Sequence, residues 1–243
     1  MEQITFVMPA YNESENIAET IKQWYSVVKE INENRECSAT LVVANDGSKD
    51  DTYDVMTKLK ESGEYEYFKP LTKENGGHGQ TVLYLYRYAL ENGADYVFQT
   101  DSDGQTNPDE FWKMFEHRHE HDFQIGFRKK RQDGTERLFV TKILRLIVWL
   151  MFHVWVVDAN TPFRLMKSDK LKKIMGVIPK DYFLCNVAIS AIAIKWKYNV
   201  KFCEISFKPR QGGVNSINMK RIFKIGLKAL GDFRKINSNL KKG

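Results

Sequence analysis

The chain has 243 residues, a length typical of one large domain or two small ones. Apolar residues make up 42% of it and charged residues 28%, a balance that excludes collagen-like, disordered and disulfide-scaffold proteins. The three cysteines lie far apart and form no Cys-x-x-Cys pair, which excludes a zinc ribbon or a thioredoxin motif. The first residues show no secretory signal pattern, so the sequence predicts a cytoplasmic location.

The net charge of +6 is distributed unevenly along the chain. The tail from Ile217 to Gly243 carries eight basic residues and one acidic residue. The basic character therefore belongs to the tail, while the rest of the chain is close to neutral. Because no motif of a nucleic-acid-binding module is present either, we expect no nucleic acid partner.

The first 130 residues alternate short apolar runs with helical patterns. Five runs are typical of buried strands: Ile4–Met8, Thr40–Ala44, Tyr65–Phe68, Tyr96–Thr100 and Phe123–Gly126. Four segments between them are typical of helices: Asn16–Ile31, Asp51–Leu59, His78–Glu91 and Pro108–His119. This alternation predicts an α/β fold with a mostly parallel sheet that helices cover on both faces.

The second half of the chain is less regular. Thr141–Val157 has roughly 15 apolar-rich residues, fewer than the ~20 that span a bilayer, which favours a buried or interfacial helix. We expect its stripe of apolar residues to face the core or an interface, and its two tryptophans are compatible with a membrane-interface helix. The stripe is Ile143, Leu146, Ile147 and Leu150, and the tryptophans are Trp149 and Trp155. Further predictions are a helix over Asp181–Trp196, a strand over Val200–Phe207 and a basic amphipathic helix from Ile217 to about Ile236.

Polar clusters follow three of the predicted strands: Pro9–Glu13, Asn45–Asp50 and Asp101–Gln105. Ligands of parallel sheets bind at the carboxyl ends of the strands, so we expect these clusters to meet. Asp101 and Asp103 can converge on one hard cation, with a neutral oxygen from Gln105, which suits Mg²⁺ or Mn²⁺. Such an ion favours a diphosphate leaving group as the substrate.

The other polar residues suggest a nucleotide. Asp46 can accept hydrogen bonds from a base or ribose, and Tyr11 can stack on a base. Gly77 and Gly79 allow close backbone approach before a helix, although no P-loop sequence is present. His78, between these glycines, is interpreted as an ordinary loop histidine.

The motifs together resemble family 2 inverting glycosyltransferases of the GT-A fold, most closely the dolichyl- or polyprenyl-phosphate mannose and glucose synthases. The resemblance implies a Rossmann-like central sheet and a more irregular acceptor half, in a catalytic domain over 1–216 followed by the separate tail 217–243. The motifs are MPAYNESENI, NDGSKDDT, NGGHGQ, TDSDGQTNP, GFR at Gly126–Arg128, DANTPFRLM at Asp158–Met166 and FKPRQGG at Phe207–Gly213.

The resemblance also implies a role for each matching residue. The residues implied to contact the nucleotide sugar are Pro9, Tyr11, Glu13, Asp46, Gly77, Gly79, Asp101, Asp103 and Arg210. The residues implied to hold the metal are Asp101, Asp103 and Gln105. The residues implied to act in catalysis, by facing the donor, binding phosphates or organising the site, are Asp103, Arg128, Asp158 and Arg164.

The acceptor is the open question. Ser216 replaces the lysine that the family carries in its late motif, Asn45 replaces an acid, and Asn186 stands where the synthases often have glutamate. A phosphate acceptor is already anionic and needs cations instead of a general base, and three arginines are available for it. We therefore expect transfer to a polyprenyl phosphate, with transfer to a glycan hydroxyl, using Asp158 as the base, as the alternative.

Three further points stay open at this level. A tyrosine-and-aspartate pocket accepts uracil or guanine, so the predicted donor is a UDP- or GDP-sugar. The basic tail and the apolar 143–157 helix predict peripheral contact with the cytoplasmic face of a membrane.

A catalytically inactive scaffold would have a broken Asp-x-Asp, and a nucleotidyltransferase would show a glycine-rich, lysine-bearing loop after the first strand. Neither feature is present in this sequence.

Overall fold

The computed structural model describes residues 1–128 and 145–208. Its strands are β1 (Glu2–Ala10), β2 (Cys37–Asp46), β3 (Phe68–Lys73), β4 (Tyr96–Gln99), β5 (Phe123–Arg128), β6 (Arg164–Lys167) and β7 (Val200–Ile205). Its helices are α1 (Ile17–Asn34), α2 (Thr52–Glu61), α3 (His78–Glu91), α4 (Glu110–Glu116), α5 (Ser168–Met175) and α6 (Cys185–Lys195). Residues 145–152 are also helical.

These strands form one mixed sheet in the order β3-β2-β1-β4-β6-β5-β7. β1 pairs in parallel with β2 and β4, β2 with β3, and β5 with β7. Only β6 runs antiparallel to both of its neighbours, β4 and β5. The predicted mostly parallel α/β fold is therefore confirmed, and β6 is the strand that the sequence patterns did not predict.

Both faces of the sheet are buried, which explains why its central strands read as continuous apolar runs. Successive side chains of β1 point to opposite faces: Phe6 and Met8 pack with α1 and α4, while Val7 packs with α3. On the first face, the Phe6 ring lies 5.2 Å from Phe98 and 4.8 Å from Phe111, measured between ring centroids. This aromatic cluster fixes β1 and β4 directly behind the loops that follow them.

The third predicted strand, Tyr65–Phe68, is wrong in its position. The observed strand begins at Phe68 and runs through Pro70 to Lys73. β3 lies at the edge of the sheet, where a proline costs no ladder hydrogen bond on the solvent side. The rings of Tyr65 and Tyr67 instead pack against Tyr25 of α1.

The apolar segment 145–157 packs through a different face from the predicted stripe. The side chains that enter the core are Val148, Phe152 and Val156. Leu146 and Leu150 of the stripe are 53% and 52% exposed, Ile147 is half-buried, and Ile143 lies outside the described residues. Within the described ranges, no helix is long and apolar enough to cross a membrane. The predicted tail helix Ile217–Ile236 also lies outside these ranges.

We expect Gly79→Ala to destabilise the fold, because the new methyl group would lie 2.1 Å from the backbone oxygen of Phe183. Overpacking of this kind costs about 1–3 kcal/mol of unfolding free energy, measurable by urea denaturation. Gly176→Ala is the matched control, since its nearest contact would be 3.3 Å and its φ is an ordinary −64°. Equal stability losses in the two variants would contradict the packing argument.

Candidate active site

A cavity of about 500 Å³ lies at the edge of the sheet where β1, β2 and β4 end. Because these strands run parallel, the loops that follow them meet at this edge. The lining residues are Pro9, Ala10, Tyr11, Glu13, Asp46, Asn75, Gly77, His78, Asp101, Ser102 and Asp103. The fold thus brings together most of the residues predicted for the nucleotide and the metal.

The loop after β1 is fastened to the loop after β2 by reciprocal hydrogen bonds. The Asn12 amide nitrogen donates to the Ser48 hydroxyl at 3.0 Å, and the Lys49 amide nitrogen donates to Asn12 Oδ1 at 2.8 Å. Asn12 has a φ of 53°, a left-handed conformation that asparagine tolerates better than most residues. The ring of Tyr11 is left 43% exposed at the cavity, in a place compatible with stacking on a base.

Asp46 lies in the predicted place, but most of its acceptor capacity is taken up by the protein. Its Oδ1 accepts from Lys73 Nζ at 2.6 Å and from the Gly76 amide at 2.8 Å, and its Oδ2 accepts from the Gly77 amide at 2.8 Å. Burial by itself raises the pKa of Asp46, but the hydrogen bonds from Lys73 and Gly76 outweigh it and hold the pKa below its ordinary value. Asp46 therefore organises the glycine loop, and direct contact with a base or ribose stays a prediction.

The two glycines of this loop differ in role. Gly77 lines the cavity with a φ of 84°, and a side chain at this backbone conformation would be strained. Gly79 is buried against Phe183 and is not among the lining residues, so it packs α3 in this structure, and its contact with the nucleotide stays a prediction. Sequence reasoning underrated His78, which begins α3 and lines the cavity with its Nε2 3.9 Å from Asp101 Oδ1. The position of His78 between two glycines at the start of a helix is the sequence feature that could have indicated its place at the cavity.

Asp101 and Asp103 form the acidic floor of the cavity. Among the described residues, Asp101 Oδ1 is solvent-inaccessible and has no hydrogen-bond partner. Desolvation raises the pKa of Asp101 to about 6, with further contributions from the negative charges of Asp103 and Glu13 and an opposing one from His78. Asp101 is thus still largely ionised at neutral pH, in surroundings that disfavour its charge.

These residues fit a divalent cation. In the parts of the chain that the structure describes, no three His, Cys, Asp or Glu side chains group as metal ligands. Two carboxylates are nevertheless a common protein contribution to a Mg²⁺ or Mn²⁺ site, which water and substrate phosphates complete. Two observations indicate that the positive charge of a cation would be stabilised here. Asp101 Oδ1 has no hydrogen-bond partner among the described residues, and the pKa of Asp101 is raised.

Gln105, the third predicted metal residue, ties this loop to the end of β7. Its backbone amide nitrogen donates to Asp103 Oδ1 at 3.1 Å, and its side-chain Nε2 donates to the Lys208 carbonyl oxygen at 2.9 Å. Gln105 is not among the cavity-lining residues. A role for its Oε1 as a metal ligand stays a prediction.

Arg128 and Asp158, two of the four predicted catalytic residues, are paired with each other. Arg128 Nε lies 3.2 Å from Asp158 Oδ2, and both side chains are mostly buried. The Arg128 guanidinium also lies over the Phe207 ring, 4.8 Å from its centroid. Neither charged residue lines the cavity described above, so the pair occupies a neighbouring part of the same sheet edge.

Arg164 is fully buried in this structure, and its predicted contact with a phosphate stays a prediction. Its guanidinium donates to the carbonyl oxygens of Ala159, Thr161 and Asn186 and to the Ser190 hydroxyl. It begins β6 in the middle of the sheet, opposite Gln99 of β4, so its donors hold the turn before β6 against α6. Arg210 and Ser216 lie outside the described residues.

Comparisons with known proteins identify the family of this chain. The model of the family described as glycosyl transferase family 2 matches residues 5–188. A UDP-N-acetylglucosamine–dolichyl-phosphate N-acetylglucosaminyltransferase of Methanococcus voltae is 26% identical over 81% of this chain and 82% of its own length. A poly-beta-1,6-N-acetyl-D-glucosamine synthase of Staphylococcus aureus is 23% identical over 86% of this chain, which spans only 48% of that protein.

Solved structures share the fold at low sequence identity. A glucosyl-3-phosphoglycerate synthase of Mycobacterium tuberculosis, solved with Mn²⁺, UDP-glucose and phosphoglyceric acid, has a TM-score of 0.67 at 15% identity, over 97% of this chain and 80% of that one. A mannosyl-3-phosphoglycerate synthase of Rubrobacter xylanophilus has a TM-score of 0.64 at 13% identity, over 99% of this chain and 75% of that one.

The match to the family model covers most of the chain and contains the loops that line the cavity and the buried Arg164. The protein belongs to glycosyltransferase family 2 and has the GT-A architecture of its structural neighbours.

Proposed function

We propose that the protein transfers a sugar from a nucleoside-diphosphate sugar to a polyprenyl phosphate, with Mg²⁺ or Mn²⁺ bound at Asp101 and Asp103. The observation that carries the proposal is the acidic floor of the cavity. There, a carboxylate oxygen of Asp101 is buried without a hydrogen-bond partner among the described residues. A donor diphosphate bound with a cation would satisfy that oxygen and neutralise the floor.

Each residue has a role in this proposal. Tyr11 offers its ring to the base, and the Asp46-held turn presents the Gly77 backbone to the donor. A cation held by the two aspartates supplies neutralisation of the charge that develops on the departing diphosphate. The bond from the anomeric carbon to the diphosphate breaks while a bond to an acceptor oxygen forms on the opposite side, which inverts the configuration.

A phosphate acceptor is favoured by the state of Asp158. A carboxylate that accepts a hydrogen bond from Arg128 and is almost fully buried is poorly placed to remove a proton from a sugar hydroxyl. Arg128, in contrast, has further guanidinium N–H groups besides the Nε–H that faces Asp158, and arginine binds phosphate oxygens in bidentate geometry. The dolichyl-phosphate transferase among the relatives supports the same acceptor class.

An exposed apolar patch supports a lipid acceptor. Leu146, Trp149, Leu150, Trp155 and Val157 are each between 37% and 65% exposed, and no acidic residue occurs from 145 to 157. The patch ends one residue before Asp158, next to the proposed acceptor end of the site. We propose that this patch, together with the basic tail, contacts the surface of a membrane, since tryptophan and basic residues favour that interface.

We expect Asp103→Ala to abolish both turnover and cation-dependent donor binding, because one of two metal-binding carboxylates is lost. Calorimetric titration with UDP- and GDP-sugars, with and without Mn²⁺, measures this and also identifies the base. Asp109→Ala is the matched control, since Asp109 is exposed in the same segment and does not line the cavity. Wild-type binding that does not depend on the cation would contradict the proposed donor site.

The acceptor is tested with labelled nucleotide sugars offered to undecaprenyl phosphate or to oligosaccharides. We expect transfer to the lipid phosphate, strongly reduced in Arg128→Ala, since the acceptor loses a charge-assisted phosphate contact worth about 1.5–3 kcal/mol, or roughly 10- to 100-fold. Transfer only to a sugar hydroxyl, with Asp158→Asn inactive, would instead establish the glycan-building alternative with Asp158 as its base.

Membrane contact is tested by flotation with anionic liposomes. We expect Trp149→Ser combined with Trp155→Ser to weaken binding at least about tenfold, because burial of a large apolar side chain contributes about 1.5–3 kcal/mol. Trp149 is 46% and Trp155 65% exposed, and we expect the circular dichroism spectrum of the double variant to match that of the wild type. Deletion of 217–243, measured in parallel, separates the contribution of the tail, and flotation that neither change reduces would contradict the proposed contact.

A further inference from the structure

The three residues that follow β7 are held at successive points along the edge of the site. We call Ser206–Lys208 the exit segment. The Ser206 amide donates to both carboxylate oxygens of Glu110, at 2.8 and 3.1 Å, where α4 begins. Phe207 lies under the Arg128 guanidinium, and the Lys208 amide donates to the Gln105 carbonyl at 2.8 Å. Each residue of the exit segment therefore has its own anchor, although the segment is not part of a strand.

Gln105 bonds to the exit segment from both its backbone and its side chain. Besides accepting from the Lys208 amide, it donates from Nε2 to the Lys208 carbonyl at 2.9 Å. Since the partner is a carbonyl oxygen, the NH₂ of the side-chain amide must face Lys208, and Oε1 points elsewhere. The Gln105 backbone meanwhile donates to Asp103. One residue thus connects the acidic floor of the cavity to the exit segment.

Phe207 makes the next connection. Its ring is half-buried against the core and supports one face of the Arg128 guanidinium, whose Nε is bonded to Asp158. An arginine held between a carboxylate and an aromatic face has few orientations left. A continuous series of contacts therefore runs from Asp103 through Gln105, Lys208 and Phe207 to Arg128.

We propose that the exit segment is a positioning element that couples the donor floor to the acceptor arginine, with Gln105 and Phe207 as its positioning residues. Phe207 sets the orientation in which Arg128 meets the acceptor, and Gln105 fixes the exit segment relative to Asp103. The inference rests on the proposed function, because Arg128 is taken to contact the acceptor. It goes beyond that function because it assigns a role to two uncharged residues, which act on the substrates through Asp103 and Arg128.

The first test uses Phe207→Leu, which keeps an apolar side chain and removes the ring. We expect the KM for the acceptor to rise between about twofold and thirtyfold, the range that loss of a cation–π contact allows, with donor affinity unchanged. Phe207→Tyr keeps the ring and should restore the wild-type KM. A merely structural role would lower donor affinity and acceptor affinity together, and would not be rescued by tyrosine.

The second test uses Gln105→Glu, which keeps a side-chain oxygen for a cation and removes the NH₂ donor to Lys208. We expect donor binding to persist and hydrogen–deuterium exchange to accelerate in the peptide that contains the exit segment. Lys208→Ala is the matched control, because Gln105 bonds only to the Lys208 backbone. Unchanged exchange in Gln105→Glu, or equal acceleration in Lys208→Ala, would overturn the proposed tether.

The two tests distinguish this inference from the proposed function. The acceptor KM is measured with whichever acceptor class the wild type uses, so transfer to a hydroxyl would refute the lipid acceptor and leave the first test valid. The exchange experiment needs no substrate at all. Wild-type transfer to a lipid phosphate with an unaltered KM in Phe207→Leu would refute the coupling and leave the proposed function standing.

Discussion

The parallel pairing of β2, β1 and β4 is the constraint on which the rest of the site depends. Because helices cover both faces of these strands, the middle of each strand is mainly apolar, and the polar side chains of the site lie at the strand ends or just after them. The register places Ala10 of β1 beside Asn45 of β2, so the first two loops leave the sheet side by side. Polar groups separated by dozens of residues in the sequence thus share one cavity.

Three carboxylates lie close together in that cavity: Glu13, Asp101 and Asp103. Lys73 is paired with Asp46, and His78 Nε2 lies 3.9 Å from Asp101 Oδ1. Desolvation and the charges of Asp103 and Glu13 raise the pKa of Asp101, and a divalent cation would relieve that repulsion more effectively than a histidine. In the proposed function, the same carboxylates would disfavour a donor diphosphate that binds without a cation, so we propose that metal and donor binding are interdependent.

The arginines on the other side of the site show how burial divides one residue type into two roles. Arg164 is enclosed, and its donors are bonded to backbone carbonyls and a serine hydroxyl, so it stabilises the turn before β6. Arg128 keeps a partly exposed guanidinium between Asp158 and Phe207. An arginine placed like Arg128 can exchange a carboxylate partner for a phosphate. An arginine placed like Arg164 would leave buried carbonyl oxygens without a hydrogen bond if it did so.

The sequence is enough to predict the fold class, most element positions in the first 130 residues and the three polar loops, because these follow from local apolar periodicity and strand order. It did not determine the position of β3, the existence of β6 or the exposed face of 145–157, since each depends on which neighbour a segment packs against. It also could not separate Arg164 from Arg128, or Gly79 from Gly77, because identical residue types differ only in burial and contacts. Those distinctions arise when distant segments pack together, so they are visible in the folded structure and not in any local sequence pattern.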